Sequence, residues 1–581
     1  MIREKLNKLI NSKYFIPCFV VIINVIFFII CNLIFEPRYE TVDDFTITKI
    51  ISKLDGTYSF YSIYIHPILS YIIMLLYKTG ININWYTIFL LTLQFMSFTI
   101  IGVVMLNKNK KIGTLCYVGV LLAIYSNLLL VINYTSIAAI SVLSGIISLI
   151  YYCEYDIKKY KLVGLILITI GTMLRWKSAI ISLPFYILYI CYNFIRKKDI
   201  KLIKNLIIIV LIILTIVISN GIIYKVNPIY AQYTRFNNIR TYFFDSNVLD
   251  YEENKEIFNK IGWSYADWKV FYTYSFSDEN FYNFESLNNL KGNIEENLEG
   301  KINKAMNSFK LFYLHAVESY MIFFIVIIII ILFSIILKKN RRIILSSFIV
   351  YILVGVTLYY TKPVHRVIIS LYSSTIIIML YFIIDKKYKI HKTNYISSFI
   401  NLLVGSVIIL YTLLPIVAYK TWGGYKNEQY KWKKEIIEYT NSNKDNAYVY
   451  PNSLSNISLA YSVYEKISDD TFLNLCHMGD WDIYNKEYFE FKKRYNIDNI
   501  ITDLYKKDNL YVITGDAIAA NNRIYKNHID IIIDYIEQHY NVNVKYKIIK
   551  EFKNFVKVYK LYEEKKGEND EENISSYTNV L

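Results

Sequence analysis

Runs of about twenty apolar residues recur along the first three-quarters of this chain, and they restrict what it can fold into more than any other feature. A bilayer core of ~30 Å takes ~20 apolar residues per helix. Expected spans are Phe15–Phe35, Trp85–Leu106, Ile112–Ile132, Ser136–Cys153, Leu162–Leu174, Ser178–Ile195, Leu206–Ile223, Tyr320–Leu337, Ile343–Tyr360, Val367–Ile384 and Ile396–Val417. The chain is 54% hydrophobic with a mean hydropathy of +0.29 over 581 residues, too apolar for a soluble protein of that length. Arg3, Lys5, Lys8 and Lys13 precede the first run as in a signal peptide. No small-residue cleavage site follows, so that run reads as the first transmembrane helix.

The basic residues set the expected orientation. Short cytoplasmic segments carry an excess of Lys and Arg. With the N-terminus inside, 23 basic residues fall in six short cytoplasmic segments, against four (Arg175, Lys177, Lys362 and Arg366) in short external turns. One more apolar stretch, Tyr61–Tyr77, would reverse every later loop if it crossed the membrane. It therefore reads as lying along the membrane surface, where Tyr, Ser and His66 interrupt it. The expectation is an α-helical polytopic membrane protein of about eleven helices, multi-pass in the cell membrane. Its transmembrane domain covers residues 1–418, with external loops at about 36–84 and 224–319. A small extracytoplasmic α/β C-terminal domain covers 419–562, and a polar, disordered tail covers 563–581.

In that C-terminal region Lys431–Thr440 and Ile529–His539 read as helices. Asn446–Tyr450, Asn499–Thr502, Asn509–Thr514 and Phe555–Tyr562 read as strands. The net charge of +16 does not point to nucleic acid: from Lys420 onward there are 23 basic and 25 acidic residues, so the excess belongs to the loops between apolar runs. The six cysteines form neither a disulfide framework nor a zinc motif.

The first external loop opens Glu36-Pro37-Arg38-Tyr39-Glu40-Thr41-Val42-Asp43-Asp44. A carboxylate at a membrane exit can take a proton from an acceptor hydroxyl or hold a divalent cation such as Mg2+ or Mn2+. Adjacent acids are also common in solvated loops. His66-Pro67 suits phosphate, metal or sugar binding, and equally a packed histidine at a proline bend. Arg175 and Lys177 flank Trp176, and Lys362, His365 and Arg366 share a second turn. Cations there can grip a lipid-linked phosphate or snorkel to headgroups. In the middle loop Arg235, Arg240, Trp263, Asp267 and Trp268 combine rings with polar groups, as in sugar sites and as in a small folded core. Gly479-Asp480-Trp481 carries the same two readings. There is no Walker A, G-x-G-x-x-G or H-E-x-x-H sequence, and the apolar runs hold almost no charge. Transporters place charges near the midplane, so the chemistry is expected at the external face.

This ordered series resembles the GT-C class of membrane glycosyltransferases, most closely the branch of lipid A aminoarabinose transferases and protein O-mannosyltransferases. Asp43-Asp44 matches the acidic pair after the first helix, and His66-Pro67 a juxtamembrane element. Gly80 and Trp85 match the lead into the second helix, Arg175-Trp176-Lys177 a basic turn, and Lys362-Pro363 a late Lys-x-Pro-like element. The likeness covers roughly residues 1 to 420. It departs in having Asp44 where Glu is frequent and in lacking a second proline after Pro67. The resemblance implies inverting transfer of a sugar from a polyprenyl-phosphate donor to a cell-envelope glycan, lipid or protein acceptor. It implies Asp43 as base and Asp44 as its assistant, directly or through a metal. It implies Arg175, Lys177, Lys362 and Arg366 as partners of the departing phosphate. A polysaccharide polymerase or ligase, and a lipid-linked sugar flippase, are the rival readings.

Overall fold

The computed structural model describes residues 12–197, 200–246, 248–294, 298–336, 340–361, 363–384, 428–451, 460–520, 523–553 and 556–564. It divides into two compact units. The first comprises Met1–Ala231, Glu296–Lys431 and Ser458–Asp469; the second comprises Gln232–Glu295, Trp432–Ile457 and Asp470–Leu581.

Helices dominate the first unit. Among the described residues, seven are long and apolar enough to cross a membrane, or eight if a pair bent by 90° between Glu318 and Met321 is one span. The seven are Phe15–Ile34, Trp85–Lys108, Lys110–Leu130, Tyr134–Tyr155, Ile200–Val226, Arg341–Thr361 and His365–Ile383. The expected spans Leu162–Leu174 and Ser178–Ile195 fall on further helices, Lys158–Leu174 and Ala179–Lys197. The expected span Ile396–Val417 lies outside the described residues. Within Tyr61–Tyr77 the only helix is Pro67–Tyr77. Its 11 residues reach about 16 Å at 1.5 Å per residue, short of a bilayer core.

Several boundaries have a local cause. Asn84, Asn109 and Asn133 each stand in extended conformation before a helix, and each side chain accepts a backbone N–H of the first turn. Tyr134–Tyr155 is buried along nearly its whole length and forms the centre of the unit. Its neighbour Lys158–Leu174 approaches closely because glycines face each other. A Cβ on Gly145 would lie 2.5 Å from the Gly164 carbonyl oxygen, and one on Gly164 would lie 2.8 Å from that of Gly145.

Two short strands, β1 (Arg38–Tyr39) and β2 (Val131–Ile132), pair in parallel within this unit. They tie the stretch that follows the first apolar helix to the residues that open Tyr134–Tyr155.

The second unit is built on a sheet. Its strands are β3 (Ala447–Tyr450), β4 (Leu475–His477), β5 (Leu510–Thr514), β8 (Val544–Glu551) and β9 (Lys557–Glu563), in the order β4-β3-β5-β9-β8. β3 runs parallel to both β4 and β5, while β9 is antiparallel to β5 and β8. A small hairpin, β6 (Ala517–Ile518) and β7 (Ile524–Tyr525), lies outside it. Helices Glu428–Ser442 and His528–Tyr540 cover the expected helical stretches. Asn499–Thr502 is not a strand. Asn499 accepts the N–H groups of Ile501 and Thr502 and starts the helix Ile500–Lys506. The β-branched residues there gave a strand pattern, but the capping asparagine decides.

The middle loop supplies part of this unit's core. Phe236, Trp263, Trp268, Phe271 and Tyr282 pack in one apolar cluster with Val449, Ile501, Tyr535 and Leu561. Asp278 anchors the two stretches of chain: its carboxylate accepts from Asn499 Nδ2 at 2.8 Å and from the Tyr535 and Tyr540 hydroxyls at 2.8 and 2.5 Å.

Candidate active site

The short β1–β2 ladder positions the acidic pair. The Glu40 N–H extends it by donating to the Ile132 carbonyl at 3.0 Å. The chain then turns into the helix Val42–Ser52, placing Asp43 and Asp44 in its first turn, where carboxylates face the positive end of the helix dipole.

Successive residues on a helix point about 100° apart, at 3.6 residues per turn. The two carboxylates therefore reach different surroundings. Asp44 is fully buried. Its Oδ1 accepts from the Tyr86 hydroxyl at 2.9 Å and the Tyr134 N–H at 3.1 Å, and its Oδ2 from Asn133 Nδ2 at 3.1 Å. Burial pushes its carboxyl well above the usual range, against the Tyr86 hydrogen bond that lowers it. Asp43 stays partly exposed and accepts from the Arg366 guanidinium at 3.0 Å, with 17% and 18% of the two side chains exposed.

Arg366 begins the helix His365–Ile383, and its carbonyl accepts the Ser136 hydroxyl at 3.1 Å. One end of the Asp43 pair is thus tied to the helix that also holds Asp44. Glu40, two residues before the helix, completes the electrostatic group. Burial raises its carboxyl to about 7, opposed by the positive charges of Arg366 and Arg38. Sequence reasoning did not single out Glu40, Asn133, Tyr86 or Tyr134. The N-capping asparagine at Asn133 was the available signal for one of them.

Arg175 borders the same region. Its guanidinium lies 4.7 Å from the Tyr64 ring centre and 5.4 Å from that of Tyr134, the residue whose N–H holds Asp44. Lys177 is exposed beside Trp176. His66 has a different task. It caps the helix Pro67–Tyr77 by accepting the Ile68 N–H at Nδ1, and its Nε2 pairs with the Ser219 hydroxyl at 3.0 Å. Burial lowers its pKa, which suits the neutral acceptor form. Its backbone N–H donates to the Met173 carbonyl at 2.8 Å, two residues before Arg175. His66 thus positions the basic turn, with both ring nitrogens engaged.

Lys362 lies outside the described residues. Arg235 and Arg240 belong to the second unit. The exposed Arg235 stacks 4.3 Å from the Phe284 ring centre. Arg240 is buried and grips Asn237 Oδ1 through Nε at 3.1 Å and Nη2 at 2.9 Å. Trp263 and Trp268, 2% and 1% exposed, are core residues. Asp267 closes a capping box with Ser264 and pairs with His539. Arg240, Trp263, Trp268 and Asp267 are thus part of this unit's packed interior, whereas Arg235 lies at its surface.

A cleft beside the Val42–Ser52 helix is lined by Tyr39, Phe45, Thr48, Ser52, Tyr77 and the segment 461–467. That segment is held by the Val463 carbonyl, which accepts from Asn84 Nδ2 at 2.9 Å and from the Thr87 hydroxyl at 2.7 Å.

The donors around Asp43 and Asp44 also bear on a metal. A guanidinium already supplies positive charge at Asp43, while a hydroxyl, an amide and a backbone N–H enclose Asp44. The pair does not fit a cation held by both carboxylates. No protein-family model matches the chain, and no curated protein is significantly similar to it.

Proposed function

We propose that this protein is a membrane glycosyltransferase that moves a sugar from a polyprenyl-phosphate donor to a hydroxyl of an envelope acceptor at the extracytoplasmic face, with inversion. The observation that supports this most is the Asp43–Arg366 pair, set over a fully buried Asp44 at the exit of the first apolar helix. The orientation follows the distribution of basic residues.

In this reading the acceptor oxygen attacks the anomeric carbon on the face opposite the phosphate. The new C–O bond forms as the bond to the phosphate oxygen breaks, and the phosphate leaves with the electron pair. Asp43 takes the hydroxyl proton. Arg366 holds the Asp43 carboxylate in place through their ion pair, and Arg175 offers charge to the departing phosphate. Asp44 positions the helix that carries Asp43 and takes no part in proton transfer. No step runs through a metal.

The test is transfer of radiolabelled sugar from a panel of polyprenyl-phosphate donors in membranes. The parent is compared with Asp43→Asn and Arg366→Gln at equal expression. Transfer by the parent, reduced at least a hundredfold by Asp43→Asn, supports the reading. Transfer unaffected by both substitutions shows that the site is elsewhere. No transfer from any donor puts the polymerase and flippase readings ahead.

A further inference from the structure

We propose that the helix Leu298–Glu318, in the first unit, lies flat in the membrane surface, with one apolar stripe sunk among lipid chains. Its partner is the lipid surface, at the end of the helix bundle that also holds the Asp43–Arg366 pair. This inference rests on the apolar spans and is independent of sugar transfer. It differs from the expectation of a water-exposed loop up to residue 319.

Direction and level come from the neighbouring spans. The apolar helix Met321–Ile336 follows after two residues, at 90°. A helix at right angles to a span runs in the plane of the bilayer. His315 Nδ1 pairs with the Tyr359 hydroxyl at 2.9 Å, and Lys304 Nζ lies 5.1 Å from the Tyr360 ring centre. Both tyrosines stand in the last turn of Arg341–Thr361. At the junction the Tyr320 hydroxyl pairs with His365 Nδ1 at 2.7 Å. His365 opens the next span, one residue before Arg366. The helix therefore crosses the bundle where two consecutive spans end and begin.

At about 100° per residue its side chains fall into three arcs. Ser308, Phe312 and Ala316 form the buried arc. Phe312 meets Tyr351 and Tyr359 of Arg341–Thr361, and a Cβ on Gly355 would overlap its ring. The next arc is apolar and open along its whole length: Ile302, Met306, Phe309, Tyr313 and Val317 are 54%, 67%, 56%, 58% and 39% exposed. It leads on to Met321 and Ile325, also exposed, in the following span. On the third arc Asn303, Lys304, Asn307 and Lys310 are exposed, with Leu311 among them. Water does not suit the second arc, and the hydrocarbon core does not suit the third. The boundary between headgroups and acyl chains takes both, and lysines there reach lipid phosphates.

The experiment places a benzophenone side chain at Met306, at Phe309 or, as control, at Asn307 on the polar arc. The full chain is irradiated in phosphatidylcholine nanodiscs and its adducts are identified by mass spectrometry. The proposal expects phospholipid adducts from positions 306 and 309, at least about tenfold above position 307. Should the labelled variants fold poorly, the unmodified chain decides: peroxide must oxidise Met306 at least about tenfold more slowly in nanodiscs than in the unfolded chain. Adducts joining position 306 to a second copy or to residues 385–427, no excess of lipid adducts over position 307, or equal oxidation in nanodiscs and in the unfolded chain would each overturn the proposal.

Discussion

Asp43 and Asp44 are neighbours in sequence with opposite expected responses to removal. Asp44→Ala would strip three donors, the Tyr86 hydroxyl, Asn133 Nδ2 and the Tyr134 N–H, of a fully buried acceptor. A buried donor left without a partner costs about 1–3 kcal/mol. Some relaxation of the Tyr86 hydroxyl is available, so the total falls at about 3–6 kcal/mol. Asp43→Ala instead breaks one ion pair whose side chains are 17% and 18% exposed. Water can reach both partners, so the expected cost is about 1 kcal/mol. The assay is thermal unfolding of the full chain in detergent or nanodiscs, followed with a thiol-reactive dye and by retention of monodisperse protein. Asp44→Ala should lower the apparent midpoint by several degrees and reduce the yield of folded protein. Asp43→Ala should leave both near the parent while removing sugar transfer. An equal loss of stability in the two variants, or an Asp44→Ala midpoint within a degree of the parent, would refute the assignment of Asp44 as the structural member.

Glu40, whose carboxyl burial raises from 4.5 to about 7, titrates first in the unfolded chain. Folded stability should therefore fall as pH rises from about 4.5 to 7, and Glu40→Gln should flatten that slope in a series of melts. His528 is fully buried against Ser275, Thr273 and Thr514, and burial lowers its pKa from 6.5 to about 3. The unfolded chain takes up its proton first, so stability is complete above pH 6.5 and should drop by about 2 kcal/mol at pH 5. Hydrogen exchange of residues 524–540 should rise at that pH and lose its pH response in His528→Asn. Gly164→Ala drives a methyl into the Gly145 backbone. It should cost about 1–3 kcal/mol, read as a lower midpoint in the same melts, and an unchanged midpoint would mean the two helices can separate freely.

Much of the first unit was readable because its signal is local. Twenty apolar residues in a row specify a helix of membrane length whatever surrounds them, and the asparagines that start three of these helices act on their own backbone. The acidic pair and the basic turns were visible for the same reason. Less local features were misread or missed. The Asn499–Thr502 stretch looked like a strand because its β-branched residues outweighed a cap whose effect shows only in a helix. Trp263 and Trp268 suited a sugar platform and a folded core alike, since a sequence does not say whether a ring is covered, and both rings are core residues. In the turn after β4 only Gly479-Asp480-Trp481 stood out, because the approach of His477 to Asp482 depends on how β4 ends.

The sequence by itself determined that the chain carries long apolar helices, that its basic residues segregate into short loops, and that two acids follow the first helix. These properties depend on the composition of contiguous segments. Tertiary structure decided which acid is buried and which faces a cation, because Arg366 lies 323 positions from Asp43 and meets it only when the helices pack. It also decided that residues 232–295 and the C-terminal stretch share one core. Apolar burial has no direction of its own, so partners far apart in the chain are chosen by shape and by the satisfaction of buried polar groups such as Asp278 and Asp44.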